Sequence, residues 1–155
     1  MAAKLTNTIE IGRPPEMVYR YVTQPWLWHQ WHPNSKGASR SPEALRAGDA
    51  FEEDIELQPL RPAPFRMRRR MNYTVKVAEP FRAWEAVGRG KDGWLDLRYE
   101  FQNSREGTRF TRTLTFETRG LSALLMPFLR HRVAAESAVA LDNLKRRLES
   151  MGDER

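Results

Sequence analysis

The chain has 155 residues and a mass of 18.1 kDa, the usual size of one domain, and we expect a single domain over residues 1–155. It contains no cysteine, which excludes a disulfide framework, a thiolate metal site and a cysteine nucleophile. The net charge of +6 permits an acidic partner, whether nucleic acid, an anionic bilayer surface or an anionic ligand. Neither a signal peptide nor a membrane-spanning apolar stretch is evident, which predicts a cytoplasmic protein with no membrane span.

The beginning of the chain predicts a strand followed by two short helices. Residues 5–11 alternate between apolar and polar side chains, the period that is typical of a half-buried strand. Pro14 and Pro15 favour the first turn of a helix, because a proline there loses only an N–H group that has no partner inside the helix. Pro25 ends that helix, and the tryptophan-rich residues 26–31 predict one or two helical turns held by burial of their indoles.

The middle of the chain predicts six strands that follow one another in an antiparallel meander. Each lies between clusters of Gly, Pro or Asn that favour turns, and most alternate apolar with polar residues. The predicted strands are residues 36–40, 51–57, 65–77, 81–87, 95–101 and 110–116.

After Gly120 the apolar period changes from 2 to 3.6, which predicts a long C-terminal helix whose first turns are interrupted by Pro127. Its stripe comprises Leu129, Val133, Ser137, Leu141, Leu144 and Leu148. A sheet with one polar face needs a cover for the other face, and only this helix is long enough to provide it. The elements therefore predict an α+β fold.

Four segments in this order carry a resemblance to a known family: IEIGRPPEMV at 9–18, WHQWHP at 28–33, GTRF at 107–110 and LDNLKRRLE at 141–149. They resemble the START-like (SRPBCC) superfamily, and within it the polyketide cyclase/dehydrase and lipid-transport group. The resemblance implies a helix-grip fold, in which a curved seven-stranded antiparallel sheet wraps around the C-terminal helix and leaves an apolar cavity. It also implies a ligand-binding domain for lipids, steroids, plant hormones or aromatic polyketides. The family shares no catalytic triad, so the catalytic residues stay unknown.

Patterns for metal, hydrolytic or phosphate-binding chemistry are weak. His29 and His32 stand three residues apart, but no third ligand lies at a suitable spacing. No serine lies in a G-x-S-x-G elbow, and the glycines of residues 88–93 join two strands instead of preceding a helix. We therefore predict no metal and no cofactor.

Three charged residues, Glu53, Arg69 and Arg112, lie on strand faces that are otherwise apolar. A buried charge without a partner costs several kcal/mol, so each needs a countercharge, water or a ligand. Counting outward from the turns predicts that Glu53 faces Arg69 and that Tyr99 faces Phe110, with Arg112 on the same side as Tyr99. Two interpretations stay open: charge pairs that stabilise the fold, and an arginine that meets the carboxylate or enolate of a ligand.

The predicted cavity lies between the inner face of the sheet and the first half of the C-terminal helix, where the small residues 134–140 leave volume unfilled. We expect a ligand with an apolar body and an anionic or carbonyl end, the latter near Arg112. The predicted ligand-binding residues are Met67, Met71, Tyr99, Phe110, Arg112, Leu125 and Leu129.

Three functions remain open, and the leading one is the binding, and carriage, of a hydrophobic small molecule. The second is a cyclase-like or dehydratase-like enzyme without a metal, in which Arg112, Arg69 or Glu53 handles enolate and proton chemistry. The third, less favoured, is an RNA- or ribosome-binding factor. Its candidate outer cations are Arg66, Arg68, Arg70 and residues 130–132. The ligand's identity and the oligomeric state are left open.

Overall fold

The computed structural model describes residues 2–151, which form seven strands, two α-helices and two 3₁₀ helices. The strands are β1 (Ala3–Ile11), β2 (Ser35–Ala38), β3 (Ala50–Leu57), β4 (Met67–Glu79), β5 (Ala83–Gly90), β6 (Gly93–Asn103) and β7 (Thr108–Thr118). The α-helices are α1 (Pro15–Val22) and α2 (Met126–Met151), and the 3₁₀ helices are Pro25–Gln30 and Gly120–Leu125. Every predicted strand and helix is present within these residues, with shifted boundaries.

The strands form one antiparallel sheet in the order β1-β7-β6-β5-β4-β3-β2. Strands β2 to β7 are therefore a meander, and β1 closes onto the last strand. Helix α2 buries its predicted stripe, from Leu129 to Leu148, against the inner face of the sheet. This is the helix-grip arrangement, which confirms the predicted fold class.

Two predicted strand registers are wrong by two residues. In the β3–β4 hairpin Glu53 lies opposite Met71, and Arg69 lies opposite Ile55, so Glu53 and Arg69 are not a pair. The cause is the proline-rich loop 58–66: its prolines have no N–H to donate to a ladder, and β4 begins only at Met67. Phe65, predicted as part of the strand, belongs to the loop.

The β6–β7 hairpin is displaced in the same sense: each β6 residue lies opposite a β7 residue two positions later than predicted. Asn103 pairs with Thr108, which leaves four residues in the turn, and Tyr99 lies opposite Arg112 instead of Phe110. Gly107 makes this turn possible: its φ is +143°, and a Cβ there would stand 2.7 Å from the carbonyl oxygen of Ile11. The shift is an even number of residues, so Arg112 and Tyr99 still share one face.

Helix α2 begins at Met126, which places Pro127 in the first turn, where it interrupts nothing. The predicted interruption is therefore wrong, and the segment before it is a separate 3₁₀ helix. The other end of α2 is fixed to β1: the Gly12 N–H donates to Glu149 Oε2 at 2.8 Å, and Lys145 Nζ donates to the Glu10 carbonyl at 2.7 Å. Among residues 2–151, no helix combines the length and the apolar character needed to cross a membrane.

A cluster of aromatic side chains fills one end of the space between sheet and helix. The ring of Trp28 packs edge-on against Phe51, Tyr73, Trp84 and Tyr99 at centroid distances of 5.7 to 6.3 Å. The Trp28 indole also donates to the Val22 carbonyl at 2.7 Å, which fixes the first 3₁₀ helix on α1. Burial of this indole, as predicted, holds the short helix in place.

Candidate functional site

A cavity of about 130 Å³ lies between the inner sheet face and the first half of α2. The buried rings of Trp28, Tyr73 and Tyr99 line one end, which we call the floor, and the partly exposed residues Asp92 and Glu117 line the opposite end, which we call the mouth. Its apolar lining is Trp28, Ile55, Leu57, Met67, Met71, Trp94, Leu95, Leu97, Leu114, Phe116, Leu129 and Val133. Its polar lining includes His32, Ser35, Glu53, Arg69, Tyr73, Asp92, Tyr99 and Arg112. A mostly apolar cavity with a few convergent polar groups is typical of a small-molecule site.

The structure places five of the seven predicted ligand-binding residues on this cavity: Met67, Met71, Tyr99, Arg112 and Leu129. Phe110 does not line it. Its ring is fully buried, at 5.2 Å from the rings of both Tyr99 and Phe101, because the two-residue shift in register moves it beyond the floor. Leu125 does not line it either, since it belongs to the second 3₁₀ helix and is partly exposed at the surface.

Arg112 is the central polar residue of the cavity, and it is 6% exposed. Its Nη1 donates to the Ser137 hydroxyl of α2 at 3.1 Å, and its Nη2 lies 3.2 Å from His32 Nε2. Its Nε is buried without a hydrogen-bond partner. No carboxylate among the described residues forms an ion pair with this guanidinium, so Arg112 is a buried cation with donors to spare.

His32 does not balance that charge. Burial and the neighbouring Arg112 hold the pKa of His32 well below its ordinary value of 6.5, so the ring is neutral. The Asn34 N–H also points at the His32 ring, 3.2 Å from Nδ1. Because a neutral imidazole has one acceptor nitrogen, His32 cannot accept from Asn34 and Arg112 at the same time.

Glu53 is the second ionisable group inside the cavity and is 5% exposed. It accepts a hydrogen bond from the Tyr73 hydroxyl at 2.7 Å. Burial raises the pKa of Glu53 to about 7, although hydrogen bonding by Ser35 and Tyr73 and the charge of Arg112 act in the opposite direction. At neutral pH this carboxyl is therefore able to give up or take up a proton.

Arg69, predicted to pair with Glu53, instead forms a clasp at the mouth of the cavity. Its guanidinium binds both carboxylate oxygens of Asp92 at 2.9 Å, and the Ser122 hydroxyl donates to the same carboxylate. The hydrogen bonds from Arg69 lower the pKa of Asp92. The clasp joins β4, the β5–β6 turn and the second 3₁₀ helix, and sequence reasoning missed Asp92 because the glycines around it indicated only a turn.

The outer arginines considered for nucleic acid lie beside acidic residues. Arg66 and Arg68 both contact Glu56, and Arg70 Nε donates to Asp54 at 2.9 Å. Much of the charge on this face is therefore balanced within the sheet.

The comparisons with known proteins agree with this geometry. The family model described as polyketide cyclase / dehydrase and lipid transport matches residues 2–149. Among solved structures, the ZhuI aromatase/cyclase from Streptomyces sp. R1128 has a TM-score of 0.73 at 12% identity, covering 96% of this chain and 94% of that chain. A protein from Thermus thermophilus has a TM-score of 0.70 at 15% identity, covering 97% and 99% of the two chains.

A third similar structure is the di-domain ARO/CYC protein BexL from the BE-7585A biosynthetic pathway. Its TM-score is 0.68 at 17% identity, over 96% of this chain and 50% of that one. At these identities the likeness shows the shared fold. No curated protein matches the sequence significantly.

Proposed function

The chain belongs to the polyketide cyclase / dehydrase and lipid transport family, and from this premise we propose that it is one ligand-binding domain whose cavity holds a small hydrophobic molecule. The polar end of that molecule is a carboxylate or a carbonyl group bound by Arg112. The observation that carries the proposal is the Arg112 guanidinium, which is buried in an apolar-lined cavity, has an unpartnered Nε and forms no ion pair with any of residues 2–151.

The charge argument favours an anionic or strongly polar ligand end. A buried cation without a countercharge costs several kcal/mol unless a group in the cavity offsets it. Glu53 is an acidic residue of the lining whose charge interacts with that of Arg112, but its raised pKa leaves it largely protonated below pH 7. A ligand carboxylate would supply the missing negative charge and accept from the unused N–H groups of Arg112.

The volume of the cavity limits the size of the ligand part that it encloses. An apolar protein cavity of about 150 Å³ accommodates a benzene molecule. The cavity of about 130 Å³ therefore suits a body of about one aromatic ring, or a branched aliphatic group of that size. A longer lipid or a polycyclic compound would extend past Asp92 and the mouth, and Met67 and Met71 supply the adaptable walls that varied apolar ligands need.

Native mass spectrometry of freshly purified protein tests the proposal directly. We expect a bound species with an apolar body and an acidic or carbonyl group. Two results would contradict the proposal. One is that the bound species is a water-soluble polar compound, and the other is that no species is bound even after aromatic acids are added to the protein.

A matched pair of variants then tests the role of Arg112. Binding of an aromatic carboxylic acid and of its neutral methyl ester is followed by tryptophan fluorescence, since Trp28 and Trp94 line the cavity. Arg112→Leu removes a charge-assisted hydrogen bond of about 1.5–3 kcal/mol and should weaken the acid by about 10- to 150-fold, with a much smaller effect on the ester. Arg109→Leu, on the outer face of the same strand, should change neither. Equal losses for acid and ester would show that Arg112 serves the fold.

A second candidate function, that of a proton-transfer enzyme of the cyclase or dehydratase type, is favoured by one observation. Glu53 has a pKa of about 7, lies inside the cavity and is hydrogen-bonded to Tyr73, which is suitable for a general acid or base at neutral pH. The test is hydrogen–deuterium exchange at the carbon next to the carbonyl of a small cyclic ketone, where uncatalysed exchange at neutral pH is slow. Catalysed exchange that Glu53→Gln abolishes supports an enzyme, and exchange at the uncatalysed rate leaves a binding protein.

A further inference from the structure

Exposed apolar side chains are concentrated at one end of the molecule. Of the eight large apolar residues that are exposed among residues 2–151, five lie in the β3–β4 loop or between Gly120 and the first turn of α2. We call these five the apolar rim: Leu60, Phe65, Leu121, Leu124 and Phe128. The side chains of Leu121, Leu124 and Phe128 are 84%, 74% and 52% exposed. Leu121 and Leu124 stand three residues apart, which places them on one side of the 3₁₀ helix, and Phe128 lies in the first turn of α2.

The apolar rim belongs to the elements that border the mouth of the cavity. The β3–β4 loop, the β5–β6 turn and the end of β7 all leave the sheet at the same end, as the antiparallel order requires. The cavity reaches this end at Leu57, Asp92 and Thr118. The clasp from Asp92 to Arg69 and Ser122 fixes the second 3₁₀ helix to that end of the sheet.

The charge of the same two segments has one sign. Residues 58–66 and 118–135 contain no Asp or Glu, but they contain five arginines and one histidine. Arg66 pairs with Glu56 and Arg132 pairs with Glu136, while the side chains of Arg119 and Arg130 are exposed. The two segments that carry the apolar rim therefore have a net positive charge of their own, which makes them complementary to an anionic partner.

We propose that the apolar rim docks this protein on the surface of an anionic lipid bilayer. Exposed leucine and phenylalanine on short helical turns, with arginine beside them, form a composition that is typical of segments lying in a membrane interface, where the apolar side chains enter the acyl chains and the cations meet the phosphates. Exposed leucine side chains add no affinity for a polyanion dissolved in water, whereas in a bilayer they are buried among the acyl chains.

This inference concerns a surface and does not depend on what the cavity holds. If the inference is correct, the mouth of the cavity faces the membrane. A bilayer on the apolar rim covers the mouth, so an apolar molecule passes between membrane and cavity without exposing its surface to water.

The test is flotation of the purified protein with two sets of vesicles, one of phosphatidylcholine and one containing about 30% phosphatidylglycerol, at low and high salt. We expect binding to the anionic vesicles that weakens with salt. The double variant Leu121→Asn/Leu124→Asn should reduce binding at least about tenfold, since both side chains would lose their burial in the interface. Val139→Asn, an exposed apolar residue of α2 outside the apolar rim, should have no effect.

A second pair of variants separates the charge contribution. Removal of two cations by Arg119→Gln/Arg130→Gln should weaken binding by about fivefold per arginine. The control Arg82→Gln/Arg105→Gln removes the same charge from the opposite end of the sheet and should change little.

Four results of the vesicle assay would overturn the proposal. They are the absence of vesicle binding, equal binding to neutral and anionic vesicles, an equal loss in the Val139→Asn control, and a loss in the arginine variant with none in the leucine variant. The last would mean that binding is electrostatic adsorption alone, as a surface for a soluble polyanion such as RNA would also show. Analytical ultracentrifugation without vesicles tests whether a second copy of the chain binds the apolar rim instead. If the wild type is a dimer and the leucine variant is a monomer, the apolar rim is an interface between two copies, and the bilayer proposal is wrong.

Discussion

The buried carboxyl of Glu53 makes the stability of this protein depend on pH in a direction opposite to that of an ordinary surface acid. Burial raises its pKa from 4.5 to about 7, so the folded protein holds this proton more tightly than the unfolded chain does. The stabilisation is fully present below the unfolded pKa and is lost as pH rises through the folded pKa. At 1.36 kcal/mol per pKa unit, the difference corresponds to about 3 kcal/mol.

Glu53→Gln isolates this effect. Glutamine has the same shape as the protonated acid, and its carbonyl oxygen can still accept from the Tyr73 hydroxyl, which donates to Glu53 at 2.7 Å. We expect the free energy of unfolding of the wild type to fall by about 2 to 3 kcal/mol relative to the variant between about pH 5 and pH 8. The pKa of Asp96 is also raised, to about 6, by burial and by Glu85, but Asp96 titrates in both proteins and cancels in the difference.

Urea denaturation followed by tryptophan fluorescence at several pH values gives both curves. The variant should be the more stable protein at high pH, and the advantage should shrink toward pH 5. Two curves that stay parallel over this range would refute the reasoning, because they would mean that Glu53 has an ordinary pKa in the folded protein.

The structure supports three further predictions. Arg69→Met should lower the free energy of unfolding by about 1–3 kcal/mol, because it leaves the Asp92 carboxylate without its charge partner. Arg68→Met removes an exposed ion pair with Glu56 and should lower it by less than about 1 kcal/mol, and thermal melts of the two variants measure the difference. Gly107→Ala should destabilise the folded protein strongly, and Gly48→Ala should destabilise it by only about 1 kcal/mol. Both glycines have a positive φ, but an added Cβ would collide with neighbouring atoms only at Gly107, so equal melting temperatures of the two variants would contradict this prediction. The affinity for an aromatic carboxylate should decrease as pH rises through about 7, because ionised Glu53 offsets the positive charge of Arg112. Titration calorimetry should show that this affinity depends less on pH in Glu53→Gln than in the wild type.

The faces of the strands were predictable from the sequence, and the partners across the strands were not. Which side of a strand a residue occupies follows from the local period of two, and a shift by two residues leaves it unchanged. The predicted inward position of Arg112 is therefore correct, although the predicted register is wrong. The partner of a charged residue depends on the length of the turn, so the predicted pair of Glu53 and Arg69 failed when the loop 58–66 proved longer.

Turn and helix boundaries account for the site residues that were misplaced. Leu125 was expected in the cavity because Pro127 was interpreted as an interruption inside a continuous helix. A proline in the first turn is equally compatible with the start of a helix, and that is where the structure has it. The residues before Pro127 then form a separate 3₁₀ helix, which turns Leu121 and Leu124 to the surface.

The contact between His32 and Arg112 joins residues that are 80 positions apart, and no local pattern predicts it. One signal was nevertheless present in the sequence. Ser137 is the only polar member of an apolar helical stripe, and a buried hydroxyl needs a partner on the opposite wall. Arg112 was the inward polar residue on β7, and it is the group that donates to this hydroxyl. A polar residue within a helical stripe, matched with a charged residue on an apolar strand face, therefore indicates the same point of the cavity from two independent elements.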